Sequence, residues 1–209
     1  TGDPARRAGN EFLYQMLAQA NVETLTAARP QRIVVTCAHC FNTIAREYPQ
    51  LGGRFDVVHH TELLDTLVRE GRLTPVPRPE GDGASVTYHD PCYLGRHNQV
   101  YTPPRDLLGA LPGVRLVEMP RTGERSFCCG GGGARVWMEE RTGTRIGTER
   151  AAEALATGAG AIATACPFCT VMLTDGVAAT SSAGDGPPAD PVAVLDVAQL
   201  LLDAVRPAD

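Results

Sequence analysis

The chain has 209 residues and a formal net charge of -5, and all 19 of its basic residues are arginines. A length of this order supports a hydrophobic core without disulfide staples, and a mildly acidic chain with no basic stripe of interleaved aromatics argues against a nucleic-acid partner. No stretch reaches the roughly 20 consecutive apolar residues that a membrane-spanning helix needs.

The first residue is Thr1 rather than methionine, and Ala5-Arg6-Arg7-Ala8-Gly9-Asn10-Glu11-Phe12 follows at once as a helical segment, which predicts a piece of a longer protein. The apolar run Ile33-Val34-Val35-Thr36 reads as a strand ending in Cys37-Ala38-His39-Cys40, and Val57-Val58-His59-His60 as a second strand that turns into a helix. Residues 74 to 83 carry three prolines and two glycines and can continue neither helix nor strand. They predict a linker over 74–85 between a first unit, 1–73, and a second, 86–209.

The second unit begins with the β-branched run Val86-Thr87-Tyr88. A helix is expected over 105–111, a strand over 114–117, helices over 134–140 and 149–157, and a strand over 161–165. Trp137 and Met138 are expected to face the core at a helix start. Gly158 and Gly160 stand where a left-handed helix cap is wanted, and Pro167 suits the first position of the next helix. The Ser, Gly, Pro and Asp-rich stretch 180–191 is expected to be a surface loop. Short β-branched runs alternating with helical ones predict an α/β fold with parallel sheets.

The chain also repeats itself. Arg7-Ala8-Gly9-Asn10-Glu11 resembles Arg145-Ile146-Gly147-Thr148-Glu149, and each leads through a helix and an apolar strand into a CxxC. After each CxxC a further strand and helix match, His59-His60 falling against the strand end at Leu195-Asp196. Two pseudo-repeats are therefore expected, the first lacking its front.

Seven cysteines fall within this frame: Cys37 and Cys40, then Cys92, the adjacent pair Cys128-Cys129, and Cys166-Pro167-Phe168-Cys169. The second unit reads C-x35-C-C-x36-C-x2-C. Thiols grouped as CxxC and CC, rather than scattered as a disulfide framework, point to metal and to a reducing cytoplasm. Cys166 should close a strand and Cys169 lie in a helix's first turn, where unpaired N–H groups and partial positive charge favour thiolate. The run Gly130-Gly131-Gly132-Gly133 would let backbone approach a bulky ligand; without a Lys-Ser/Thr ending it does not read as a phosphate loop.

This arrangement resembles the cysteine-rich CCG domain family, found in the catalytic subunit of heterodisulfide reductase and in iron–sulfur subunits of glycolate, lactate and glycerol-3-phosphate oxidising enzymes. The resemblance implies one cluster per complete motif, a [4Fe-4S] centre of non-cubane type in some members. By position its ligands would be Cys92, Cys128, Cys129, Cys166 and Cys169. Cys37 and Cys40 would be the trailing ligands of an incomplete first site. The resemblance further implies electron transfer beside an upstream ferredoxin-type or membrane region of the parent chain or another redox subunit, with a disulfide or quinone-linked substrate. The parent would then sit in the cytoplasm or on the cytoplasmic side of a membrane.

Two other readings stand beside it. Four of the five thiolates would satisfy a structural zinc, although zinc needs no fifth cysteine in a vicinal pair. Cys37/Cys40 also fit a thiol–disulfide redox pair at a helix N-terminus. Of the histidines, His39 is expected to point to solvent without binding metal and His59-His60 to be structural. His89 and Asp90 flank Cys92 and could move protons, with Asp90 expected to cap a following helix.

Overall fold

The computed structural model describes residues 1–77, 84–181 and 192–205. Residues 78–83 of the expected linker, and the expected loop from residue 182 to 191, lie outside them. Six strands and eight α-helices follow one another in the described residues: α1 (Asp3–Arg7), α2 (Glu11–Ala28), β1 (Ile33–Val35), α3 (Ala38–Asn42), β2 (Val57–His59), α4 (His60–Arg69), β3 (Ala84–Tyr88), α5 (Thr102–Gly109), β4 (Val114–Leu116), α6 (Ile146–Leu155), β5 (Ala161–Thr164), α7 (Pro167–Ser181), β6 (Ala193–Asp196) and α8 (Val197–Val205).

Both sheets are parallel, as the alternation predicts. One holds β1 and β2 with Ile33 opposite Val57; the other runs β4-β3-β5-β6, with Ile162 opposite Val194. Parallel strands need crossover helices and are covered on both faces, which is why they read as apolar runs rather than alternating ones. Ile162 faces Met119, Ala151, Ala154, Leu173 and Val177 beneath α6 and α7. Ala163 faces the main core of Val86, Tyr88, Leu107, Leu108, Leu200 and Leu201. That core also takes in Cys37, Ala38 and Phe41, so the two units share one interior.

Local chemistry sets the element ends. Asn10 caps α2 by accepting from the Leu13 N–H at 3.0 Å. This helix buries Tyr14, Ala18 and Val22 at four-residue spacing against Ile44 and Tyr48. Glu62 accepts from the His59 N–H at the start of α4, and Gln199 accepts from the Asp196 N–H at the start of α8. These matching caps, with His59 opposite Val35 and Asp196 opposite Thr164, make His59 the counterpart of Asp196 and His60 of Val197 in the repeat, one residue from the equivalence of His59-His60 with Leu195-Asp196. Where α6 and α7 cross, a Cβ on Gly176 would lie 2.5 Å from the Gly147 carbonyl oxygen, so only glycine permits the approach.

Three expectations differ from the structure. β3 starts at Ala84, so the last two residues of the expected linker are strand. The expected helix over 134–140 is only a 3-10 turn, Arg135–Trp137, because Gly133 and Ala134 both take left-handed backbone (φ 66° and 62°). Consequently Trp137 is 64% and Met138 50% exposed rather than core-facing. The chain then folds back until the Glu140 carboxylate accepts from the Ile146 N–H at 2.7 Å, opening α6. Gly158 does adopt the expected left-handed cap (φ 69°) and α7 does begin at Pro167.

Candidate metal centre

Parallel α/β sheets gather their loops at the carboxyl ends of the strands, the usual place for a binding site. Here β1 leads through Thr36 to Cys37, β3 through His89-Asp90-Pro91 to Cys92, and β5 through Ala165 to Cys166. Cys40 and Cys169 each occupy the third residue of a helix, α3 and α7. Cys128 and Cys129 come from the loop that enters the glycine run.

All seven are free thiols; Cys37, Cys129, Cys166 and Cys169 are buried and Cys40, Cys92 and Cys128 partly so. Each is electrostatically coupled to the next in an unbroken order. Cys92 pairs with Cys128, Cys128 with Cys129, Cys129 with Cys169, Cys169 with Cys166, Cys166 with Cys37, and Cys37 with Cys40. The five cysteines of the second motif are thus brought together, and the first unit's CxxC adjoins them through Cys37. Thr1 Oγ1 lies 3.7 Å from Cys40 Sγ.

The electrostatics favour thiolate at two points. Hydrogen bonds from Cys129 and Cys92, with the Gly130 N–H at 3.3 Å, outweigh burial and lower Cys128 to about 2. Cys166 is lowered by Cys169 and Cys37 and by the backbone N–H groups of Cys169 and Ala38. Their partners are pushed up: Cys129 to about 12, chiefly by Cys128, and Cys37 to about 11, chiefly by Cys166. Sulfurs crowded in this way titrate as a coupled set, and a cation bound among them would displace the protons that remain.

Several features suit a bulky thiolate-bound group. A Cβ on Gly131 would sit 3.0 Å from Met172 Cγ and 3.7 Å from Cys129 Sγ, so the glycine loop packs closely over Met172 beside the thiols. Five soft thiolates, two of them vicinal, exceed what one tetrahedral zinc uses. A ring nitrogen of His89 and the Sγ atoms of Cys129 and Cys169 lie within 4.8 Å of one another, and His89 Nε2 is buried without a protein partner.

The surrounding polar side chains are mostly long-range pairs. Asp90 does not cap a helix: it accepts two hydrogen bonds from Arg105, at 2.7 and 2.9 Å, and one from the Gly123 N–H at 2.9 Å. Burial alone would raise its pKa, but Arg105 outweighs that and lowers it. His39 is buried, not solvent-facing, because Nδ1 pairs with Asp3 Oδ2 at 2.9 Å and the ring stacks 4.0 Å from Tyr93. His60 pairs with Asp196 at 2.9 Å across the two units, and burial lowers His59 to about 3. Nothing in the sequence singles out Asp3, Tyr93 or Arg150; each meets its partner at a separation no periodicity marks.

Parallel strands that deliver buried thiols to one edge, over a glycine loop, define a metal-thiolate α/β protein. The chain belongs to the CCG cysteine-rich domain family, which matches residues 1–45 and 86–174. It is 45% identical over 210 residues to the probable iron-sulfur-binding oxidoreductase FadF of Bacillus subtilis, covering 100% of this chain and 28% of that protein. It is 41% identical to the EtfAB:quinone oxidoreductase of Syntrophomonas wolfei, covering 98% of this chain and 28% of the relative. With a component of the dihydromethanophenazine:CoB–CoM heterodisulfide reductase of Methanosarcina acetivorans it shares 39% identity over 164 residues, 77% of this chain and 39% of that one. The chain therefore spans well under half the length of these relatives. Among the described residues no helix is long and apolar enough to cross a membrane.

Proposed function

We propose that this chain is the iron–sulfur cluster-binding, electron-transfer part of a heterodisulfide-reductase-like oxidoreductase. The cluster would be held by Cys92, Cys128, Cys129, Cys166 and Cys169. The observation that carries this is the gathering of all five thiols beside one another, Cys92 and Cys166 after strands, Cys169 in the first turn of α7 and the vicinal pair on a glycine loop. The names of the relatives support iron–sulfur chemistry over a structural zinc. The cluster type is proposed as a [4Fe-4S] centre, non-cubane because five thiolates exceed the four of an ordinary cubane. Cys37 and Cys40 are proposed as ligands of a second, neighbouring site.

Bound there, the group supplies one-electron storage at a potential that the protein tunes through hydrogen bonds and burial. The chain's own residues hold and insulate it. Backbone N–H groups of Gly130, Cys169 and Ala38 point at sulfur, offsetting negative charge without a mobile side chain. Aromatic rings of Phe168 and Tyr93 pack around His39 beside the CxxC loops and limit water there. For the parent protein we propose electron exchange with a ferredoxin-type or membrane region of the same chain, or with another redox subunit, on the cytoplasmic side. A disulfide or quinone-linked substrate fits the names of the relatives.

Purification without oxygen, followed by iron, zinc and labile-sulfide analysis and an EPR spectrum, tests the reading. Iron and sulfide of about four each per chain are expected for one such cluster. Zinc without sulfide would make the domain a structural module. Metal-free protein with a reactive Cys37/Cys40 pair would make it a thiol–disulfide protein.

A further inference from the structure

His89 stands directly after β3, its N–H still bonded to the Ala163 carbonyl at 2.9 Å, and the residue is 1% exposed. Arg150 of α6 is wholly buried beside it. Arg150 Nε donates to His89 Nδ1 at 3.0 Å, while Nη1 donates to Glu153 Oε2 and the Arg121 carbonyl, each at 2.9 Å, and Nη2 to Ser126 Oγ at 3.4 Å.

A guanidinium only donates and does not give up its proton in a protein. The Nδ1 lone pair of His89 is therefore taken as an acceptor, and the single proton of the neutral ring lies on Nε2. That N–H is buried without a protein acceptor, in a ring whose nitrogen lies within 4.8 Å of Cys129 and Cys169 Sγ. A buried donor without a partner is costly, so its acceptor belongs to what fills the thiol site. A nitrogen that carries this proton has no lone pair for a metal.

We propose that His89 is a hydrogen-bond donor to the cluster, its Nε2–H directed at a thiolate or sulfide sulfur beside Cys129 and Cys169, and that Arg150 enforces this by occupying Nδ1. His89 is thus a positioning and tuning residue, not a ligand. The inference rests on the iron–sulfur reading above. An N–H donor stabilises the reduced, more negative cluster and raises its potential.

The test uses the cluster-loaded protein purified without oxygen. In wild-type protein carrying ring-15N histidine, the paramagnetic cluster should show a weak nitrogen coupling that disappears in His89→Phe. His89→Phe should keep its iron and sulfide but be reduced about tenfold less at a fixed potential, a negative shift of about 59 mV for one electron. His89→Gln, which keeps an N–H at similar reach, should recover part of the shift. A strong coupling of a directly bound nitrogen, or iron loss in His89→Gln as large as in Cys129→Ser, would make His89 a ligand and overturn the proposal. An unchanged potential in both variants would overturn it as well. Wild-type protein without iron and sulfide would instead fail the iron–sulfur reading itself, before any variant is compared.

Discussion

The two units use the same strand–CxxC–helix module and surround it differently. In the first, α3 is five residues long and passes straight into a π-helical turn, Thr43–Glu47, and a 3-10 turn, Tyr48–Leu51. In the second, α7 runs for 15 residues from Pro167. Around the first module stand buried carboxylates with partners from the chain's start: Glu47 pairs with Arg6 and Arg7, and Asp3 pairs with Arg7 and hydrogen-bonds His39. Around the second stand a glycine loop and the wholly buried Arg150 in its pair with Glu153, with His89 between that pair and the thiols. The module fixes where sulfur is delivered, and its surroundings decide the charge and space offered to whatever binds there.

Removing charge should therefore hurt the second unit more. Arg150→Met removes a wholly buried guanidinium that bonds His89, Glu153 and Ser126, leaving Glu153 with Arg121 alone, and should cost about 3 kcal/mol, whereas Arg7→Met removes a partly exposed guanidinium while Arg6 still pairs with Glu47, and should cost about 1 kcal/mol. Urea denaturation of both variants reads the difference, and equal costs would erase the contrast. Adding volume is the next largest effect. Gly176→Ala places a methyl 2.5 Å from the Gly147 carbonyl oxygen and 2.8 Å from Ala151 Cβ, where backbone must move. A loss of about 2 kcal/mol is expected, measured as a lower urea midpoint at unchanged slope.

A pH experiment sharpens the comparison further. Burial, then the neighbouring His60, holds His59 at about 3 against an ordinary value of 6.5. The unfolded chain therefore binds more protons than the folded one between those values, so stability is full above about pH 6.5 and falls as pH drops towards 3. The slope attributable to this residue should approach about 1.4 kcal/mol per pH unit well below pH 6.5. His59→Phe should flatten the stability curve between pH 7 and 5.5; an unchanged curve would place the titration elsewhere. Smallest of all, Trp137→Ala should change stability by less than about 0.5 kcal/mol, because the ring is mostly exposed.

The parts of the fold legible in the sequence are those governed by neighbours along the chain. The runs at Ile33–Val35 and Ala161–Thr164, the proline at 167 and the glycine at 158 each imply their own conformation, and they locate β1, β5, α7 and the cap of α6. The segment around Trp137 has a helical composition and yet forms only a turn, because it follows Gly133 and Ala134, whose left-handed backbone no propensity announces for alanine. The site is legible as a set of cysteines because their spacing carries the pattern. What holds it is not. His89 and Arg150 are 61 residues apart, His39 and Asp3 36, and Asp90 and Arg105 lie on different elements. Such pairs depend on tertiary placement, and a lone histidine or arginine in a sequence gives no sign of its partner.

On the proposed reading, five thiolates of the second motif, the vicinal pair included, hold an iron–sulfur cluster. Iron and labile sulfide measured side by side in wild type and Cys129→Ser, both purified without oxygen, test it most directly. Both elements are expected in the wild type, with loss of the cluster from the second site in Cys129→Ser and iron in His60→Ala indistinguishable from wild type. Equal iron in Cys129→Ser and wild type would contradict it.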